Sequence, residues 1–337
     1  MKMKKIFAAV TATAAAAVLA FSLAGCGSSG DNTKTDSGSN TAASGDIRFI
    51  TGGESGTYYA YGTVLANYAT NNGDVKVTAL SGNGSQANVQ ALQDGDAEMG
   101  FCQSDVLAYA AEGTNLFEGA GYDGFSIVSA LYKEQVQIVT CDDSIKSVAD
   151  LKGKTVSVGA TNSGVYFNVV DVLKAYGMTV DDVNAVYQDF ADSADSLKDG
   201  KIDAAFLTAG APTTAITDLS TTKPAHLVGF DEEHVNKLLA ASPYYSKDVV
   251  KAGTYSGMDK DVTTVAVQAV IIANDSVSED AIYNFTKSIF DGAKAQADAH
   301  AKYAELDLDT AASVSTVGYH PGAAKYFKEQ GIEVPTK

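Results

Sequence analysis

Ser55-Gly56-Thr57-Tyr58-Tyr59 recurs 108 residues later as Ser163-Gly164-Val165-Tyr166-Phe167. A second echo follows at nearly the same spacing. Leu92-Gln93-Asp94-Gly95-Asp96-Ala97-Glu98-Met99-Gly100-Phe101 returns 105 residues on as Leu197-Lys198-Asp199-Gly200-Lys201-Ile202-Asp203-Ala204-Ala205-Phe206. In each copy an apolar run (47–50 or 156–158) leads into a Gly/Ser loop and then into a helical pattern. A further helix, an Asp-Gly turn and another strand follow. The chain therefore reads as two similar α/β lobes, each offering a Ser-Gly helix N-terminus. The first free N–H groups of a helix, aided by its dipole, attract anions. Two such ends facing each other across a gap would clamp a small anion. The alternative is that Ser and Gly merely cap their helices. Occurrence twice, in matching places, favours a ligand.

Outward from these echoes, apolar runs alternate with helical patterns. Strands are expected at 47–50, 75–79, 98–102, 127–131, 136–140, 156–158, 185–187, 204–207, 226–228 and 265–272. Helices are expected at 58–68, 86–92, 105–111, 165–176, 193–198, 232–240, 279–300 and 323–330. Such alternation predicts an α/β protein with mainly parallel sheets. Ligands of open α/β sheets lie beyond the carboxyl ends of strands, where these Gly/Ser loops fall. The chain would cross between lobes at 136–142 and again at 262–267, two strands forming a hinge. Lobe 1 is then 46–141 plus 263–337, and lobe 2 is 142–262. The segment 244–261 reads as loop.

The N-terminus reads as a targeting segment. Lys2, Lys4 and Lys5 precede an Ala-rich apolar stretch that closes on Leu23-Ala24-Gly25-Cys26. That order of charge, short apolar run and small-residue exit is a signal peptide over residues 1–25. The stretch is marginal in length and weakly hydrophobic for a membrane-spanning helix. Its ending resembles the lipobox of bacterial lipoproteins, which implies a lipid on Cys26. Residues 26–45 are almost all Gly, Ser, Thr, Asn, Asp and Ala, too polar to bury a core, and read as a flexible tether. A domain leashed outside a membrane suits capture of a solute near the membrane surface.

Charge and chemistry narrow the function. The formal charge is −17, and losing the three leader lysines and no acid makes it −20. Such a surface argues against nucleic acid and anionic lipid as partners. The one arginine, Arg48, starts the first strand, so a bidentate arginine clamp is not on offer. Backbone N–H groups, hydroxyls and amides must hold an anion instead. Five loops supply them: Thr51 to Tyr59, Ser81 to Gln86, Gln103 to Asp105, Thr161 to Gly164, and Thr208 to Pro212. None matches a P-loop or a dinucleotide fingerprint. His226, His234, His300 and His320 have no zinc spacing. No Gly-x-Ser-x-Gly elbow occurs. No catalytic residue, metal or cofactor is expected, and the chain reads as a binder rather than an enzyme. Cys102 and Cys141 could pair, but isolated cysteines at strand ends are more often small buried hydrophobes. His320-Pro321-Gly322 should start the last helix. Tyr58 stands out from the other aromatic residues because its loop is the repeated one. Glu54 and Asp105, acids within the site loops, are the candidates to face an ammonium.

Thr51-Gly52-Gly53 with Gly56 and Tyr58-Tyr59, Gln103-Ser104-Asp105, Asp150-Leu151-Lys152-Gly153-Lys154, Asp199-Gly200-Lys201-Ile202-Asp203, and His320-Pro321-Gly322-Ala323 with Lys325-Tyr326 occur in that order. Together they resemble the TAXI-type solute-binding subunits of tripartite ATP-independent periplasmic (TRAP) transporters, over about 46–331. The resemblance implies a two-lobe type II periplasmic-binding-protein fold, expected as a monomer. It implies a membrane permease partner driven by an ion gradient, and a glutamate-like or dicarboxylate ligand. It places the binding positions among Gly53, Thr57, Tyr58, Ser81, Ser85, Gln103, Thr161, Ser163, Gly164 and Thr208. The lipid anchor departs from the freely soluble form common in that family. It suits an extracytoplasmic protein on a cell with a single membrane. A binding lipoprotein of an ATP-driven transporter is the alternative, and a secreted enzyme or adhesin on the same scaffold is a third.

Overall fold

The computed structural model describes residues 46–337, and within it the echoes fold as equivalent units. The leader of residues 1–25, the tether of residues 26–45 and Cys26 lie outside the described residues. In the first unit β1 (Ile47–Ile50) leads to α1 (Thr57–Asn72), β2 (Val77–Leu80), α2 (Ser85–Asp94), β3 (Met99–Gln103) and α3 (Ser104–Glu112). The long β4 (Phe125–Thr140) then leaves it. The second unit repeats the order with β5 (Thr155–Ser157), α4 (Val165–Ala175), β6 (Asn184–Val186), α5 (Phe190–Asp199), β7 (Ala204–Ala209) and α6 (Thr214–Thr222). Next come β8 (His226–Leu227), α7 (Glu232–Ala241), β9 (Ser246–Val250) and the long β10 (Val262–Asn274). The helices α8 (Glu279–Ala295), α9 (Leu308–Ala311) and α10 (Pro321–Glu329) close the fold.

All ten strands join one sheet, in the order β2-β1-β3-β10-β4-β7-β5-β6, with β8 on β4 and β9 on β10. Read from either edge inward, the order is the same. Three parallel strands meet one long antiparallel strand, β10 in the first lobe and β4 in the second. The sheet is thus mixed rather than mainly parallel. The reason is that the two lobes share their innermost strands.

Those two strands carry the crossings. They pair antiparallel between 125–135 and 266–274, after which β4 continues onto β7 and β10 onto β9. Phe125 to Tyr132 and Ala269 to Ala273 contribute to the first apolar core. Val136, Ile138, Val265 and Val267 contribute to the second. Beyond the crossing, side chains alternate by the strand period of two. Ile138, Ala204 and Phe206 face one core, while Val139, Ala205 and Leu207 face a third on the other side of the sheet. This is a two-lobe fold with a two-strand hinge.

Three differences from the sequence reading have physical causes. The runs at 127–131 and 136–140 are one strand, because Lys133, Glu134 and Gln135 continue the pleat where apolar character lapses. The segment 244–261 contains β9, recruited by ladder bonds to β10 despite its polar sequence. The helix expected over 279–300 stops at Ala295. Beyond it His300 stacks on Tyr61 and Lys302 is buried, so tertiary contacts override helix propensity. Cys102 and Cys141 are free thiols. Among the described residues no helix is long and apolar enough to cross a membrane.

The Asp-Gly turns of the second echo both work as helix ends. Gly95 (φ 75°) and Gly200 (φ 68°) close α2 and α5 in the left-handed conformation that glycine tolerates. Asn88 on α2, fully buried, ties helix to sheet. Its amide donates to the carbonyls of Thr51 (2.6 Å), just past β1, and Phe101 (2.8 Å), in the middle of β3. Asn88→Ala removes both donors from buried carbonyls and should destabilise the protein by about 1–3 kcal/mol. Chemical denaturation with an unchanged m-value checks this; an unshifted midpoint would refute it.

Candidate functional site

The first echo meets itself across a cleft. Gly53, Gly56, Thr57 and Tyr58 line it from the first lobe, and Ser163, Gly164 and Val165 from the second. Gly84, Ser85 and Gln103 add a second wall, Thr208 and Ala209 a third, and Phe190 sits at the edge. The cavity in the cleft is about 90 Å³. At about 15 Å³ per water it holds on the order of six waters, the room of a small solute.

The lobes are closed on one another. Ala87 N–H donates to Asn162 O (2.9 Å) and Ala215 N–H to Ser55 O (3.3 Å). Thr57 Oγ1 donates to Gly210 O (2.9 Å), and Lys302 Nζ to Ala211 O (2.9 Å). Gly164 is where the walls approach most tightly. A Cβ there would stand 1.8 Å from Gln103 Oε1 and 2.7 Å from Ser85 Oγ. Only glycine permits this closed arrangement.

Four of the helices that begin at the cavity have no side-chain cap, whereas α5 is capped by Asp189. α1, α2, α3 and α4 start at Gly56, Gly84, Gln103 and Gly164 with no side chain accepting from their first N–H groups. By contrast, α7, α8 and α10 are capped by Asp231, Ser278 and His320. Ser55 and Ser163 are therefore not caps. Their helix ends leave N–H groups for other acceptors. Three buried oxygens of the lining, Ser163 Oγ, Gln103 Oε1 and Thr208 Oγ1, also have no partner within the protein. Buried polar atoms are rarely left so, and their gathering in one cavity marks where a polar solute would complete the bonding.

Of the ten positions expected from sequence, Gly53, Thr57, Tyr58, Ser85, Gln103, Ser163, Gly164 and Thr208 line this cavity. Ser81 and Thr161 do not, since both side chains face solvent at the outer ends of their loops. Neither acid expected to face an ammonium does so. Glu54 is exposed and outside the lining. Asp105 is buried behind it, where Oδ2 accepts from Asn168 Nδ2 (3.0 Å). Asn168 also receives Gln103 Nε2 (3.0 Å) and donates to Tyr245 Oη (2.9 Å), which in turn donates to Asp171. Asp105 belongs to the bridge between lobes.

The acid that does reach the cavity is Glu134, on the β4 crossing. It is buried, and Oε2 accepts from Tyr58 Oη at 2.6 Å. Tyr58 is itself fixed by stacking on Phe101, with centroids 4.4 Å apart. Sequence reasoning missed Glu134 because it looked for polar groups in loops. The available signal was an acid inside a strand-like run. Burial and the nearby Asp105 charge push the Glu134 carboxyl up to about 8, against the Tyr58 hydrogen bond and the Lys302 charge. Burial, with Asp171 adding to it, pushes Asp105 up to about 7. Among the described residues no lysine, arginine or histidine lines the cavity. Among the described residues no group of three or more His, Cys, Asp or Glu could hold a metal.

These raised carboxyls set a pH dependence. Between pH 4.5 and about 8 the folded state keeps a proton on Glu134 that the unfolded state has released, so its contribution falls as pH rises. His300 and His320, lowered by burial, act in the opposite sense, so the comparison must be internal. The melting temperature of Glu134→Gln minus that of the wild type should grow from pH 5 to pH 8.5. A constant difference would overturn the assignment.

Similarity to known proteins follows the same architecture. A structure from Bordetella bronchiseptica RB50 aligns over 77% of this chain and 74% of its own, at 18% identity and a TM-score of 0.53. A second, described as a periplasmic transporter, aligns over 86% and 93% at 12% identity and a TM-score of 0.51. The alkanesulfonate-binding protein SsuA from Xanthomonas axonopodis pv. citri, bound to MOPS, aligns over 84% and 83% at 17% identity and a TM-score of 0.48. The first two show the fold alone. The NMT1-like family model matches residues 49–331, nearly the whole of the described chain, and the protein therefore belongs to the NMT1-like family.

Proposed function

We propose that this chain is an extracytoplasmic solute-binding lipoprotein. It captures a small carboxylate by lobe closure and delivers it to a membrane permease. One observation carries the reading. Uncapped helix N-termini from both lobes, with the unpartnered hydroxyls of Ser163 and Thr208, converge on one cleft between the lobes. With no cationic side chain in the lining, these N–H groups and hydroxyls are the anion's ligands. Closure then buries the solute between two halves whose hinge is the β4/β10 pair. Nothing in this arrangement activates a nucleophile, so the solute is returned unchanged.

The TAXI-type resemblance makes the permease an ion-gradient-driven TRAP subunit, and the ligand a glutamate-like amino acid or a dicarboxylate. The NMT1-like match is broader than that resemblance, and keeps an ATP-driven transporter as the second reading. Vesicles carrying the protein with its own permease separate the two. Uptake of labelled L-glutamate on a sodium gradient without ATP fits the first reading; strict ATP dependence fits the second.

Ser163→Ala provides the sharpest test of the site. Its hydroxyl bonds nothing in the protein, so the variant should melt at the wild-type temperature. A hydrogen bond to a charged group contributes about 1.5–3 kcal/mol, so calorimetry should show affinity for the carboxylate falling about ten- to a hundredfold. Unaltered affinity would remove Ser163 from the site.

The lipid anchor has its own test. Cys26→Ala should release the protein from the membrane fraction into the medium or periplasm, with the unprocessed leader still attached or trimmed elsewhere. Retention equal to wild type would sink the lipidation.

A further inference from the structure

We infer that Glu134 is the specificity-determining residue of the cleft, and that its carboxylate receives an ammonium on the bound carboxylate. The site would therefore take a zwitterion in preference to a plain dicarboxylate. The inference rests on the solute-binding reading above and adds to it the charge pattern of the solute.

The geometry is asymmetric. Glu134 lies on the hinge strand, opposite Val267, with its side chain on the cavity side while neighbouring Lys133 points out to solvent. Tyr58 Oη holds Oε2, and among the described residues no donor meets Oε1. The residue is 2% exposed, and the access Oε1 keeps is to the cavity that Glu134 lines. A carboxylate in such a place is costly unless an opposite charge meets it. Five titratable groups surround it: Tyr58 from α1, Cys102 on β3, Asp105 from α3, Tyr132 on its own strand, and Lys302 from the segment after α8. Lys302 is spent elsewhere, on the Ala211 carbonyl and Glu305. Among the described residues no cation is free to complete the site.

The rest of the lining supplies the opposite polarity. Asp189, the other acid there, is exposed and already caps α5. Helix N-termini and the orphan hydroxyls present positive ends of dipoles toward the cavity. Donors on the walls with one buried acid on the floor match a molecule carrying both a carboxylate and an ammonium. An ammonium placed there releases the Glu134 proton to solvent and pairs with the carboxylate that is left, a gain that a dianion without nitrogen cannot make against the same acid.

Paired probes test this by calorimetry: L-glutamate with glutarate, and L-aspartate with succinate. Each pair differs only in the amino group. On the wild type the amino acid of the binding pair should be held at least tenfold more tightly. Glu134→Gln keeps the shape and can still accept from Tyr58, so it should fold with an unchanged or higher melting temperature. In it that ratio should collapse toward one, chiefly by weaker amino-acid binding. Equal or tighter binding of glutarate or succinate by the wild type overturns the inference and leaves the carboxylate reading standing. A ratio that survives in Glu134→Gln removes Glu134 from the role. Absence of binding by all four probes overturns the carboxylate reading and this inference together.

Discussion

The antiparallel pairing of β4 with β10 is the constraint on which the cleft depends. Both strands belong to both lobes, so neither lobe can finish its sheet without the other. Every loop of the site hangs from a strand that neighbours this pair directly or through one or two partners. The same pair is a natural bending point, since between Tyr132 and Val136 the strand is held by ladder bonds rather than by an apolar core. Glu134 occupies that gap. The polar floor of the cavity and the mechanical joint are therefore one place in the chain, and a group bound against Glu134 touches the hinge itself.

Closure joins the lobes by polar contacts as well as aromatic ones. Gln103, Asn168, Asp105, Tyr245 and Asp171 form a buried hydrogen-bonded series joining the lobes. Phe167 of α4 adds an aromatic contact by stacking near Tyr109, with centroids 5.8 Å apart. Polar series of this kind are specific in geometry but modest in net energy, because each group gives up water to join. Asp105 Oδ1 remains unpartnered and its carboxyl is pushed up to about 7, a sign that the series is not fully satisfied. An interface so balanced can open and close, as a capture device must.

The electrostatics of the molecule and of its site have opposite designs. The surface is strongly acidic, so long-range attraction would not gather an anion. The lining holds no cationic side chain and relies on backbone dipoles that act over a few ångströms. Recognition is thus local. The one buried acid then restricts what else the solute may carry.

The sequence by itself determined the architecture, because a duplicated pattern of strand, Gly/Ser loop and helix is a local signal. Ser55-Gly56 and Ser163-Gly164 announced two equivalent helix starts, and Asp94-Gly95 and Asp199-Gly200 two equivalent helix ends. The glycine in each Asp-Gly pair takes the left-handed conformation that ends a helix. What only the tertiary structure decided was which polar groups face inward. Ser81 and Thr161 share the composition of their loops but point to water, whereas Glu134 sits in a polar break between two apolar runs of one strand and faces the cavity. Asp105 looked like a site acid and became part of the bridge between lobes. Loop chemistry can be read locally, but burial is set by strands brought together from positions more than a hundred residues apart. The pairing of 125–135 with 266–274 leaves no local mark on either segment.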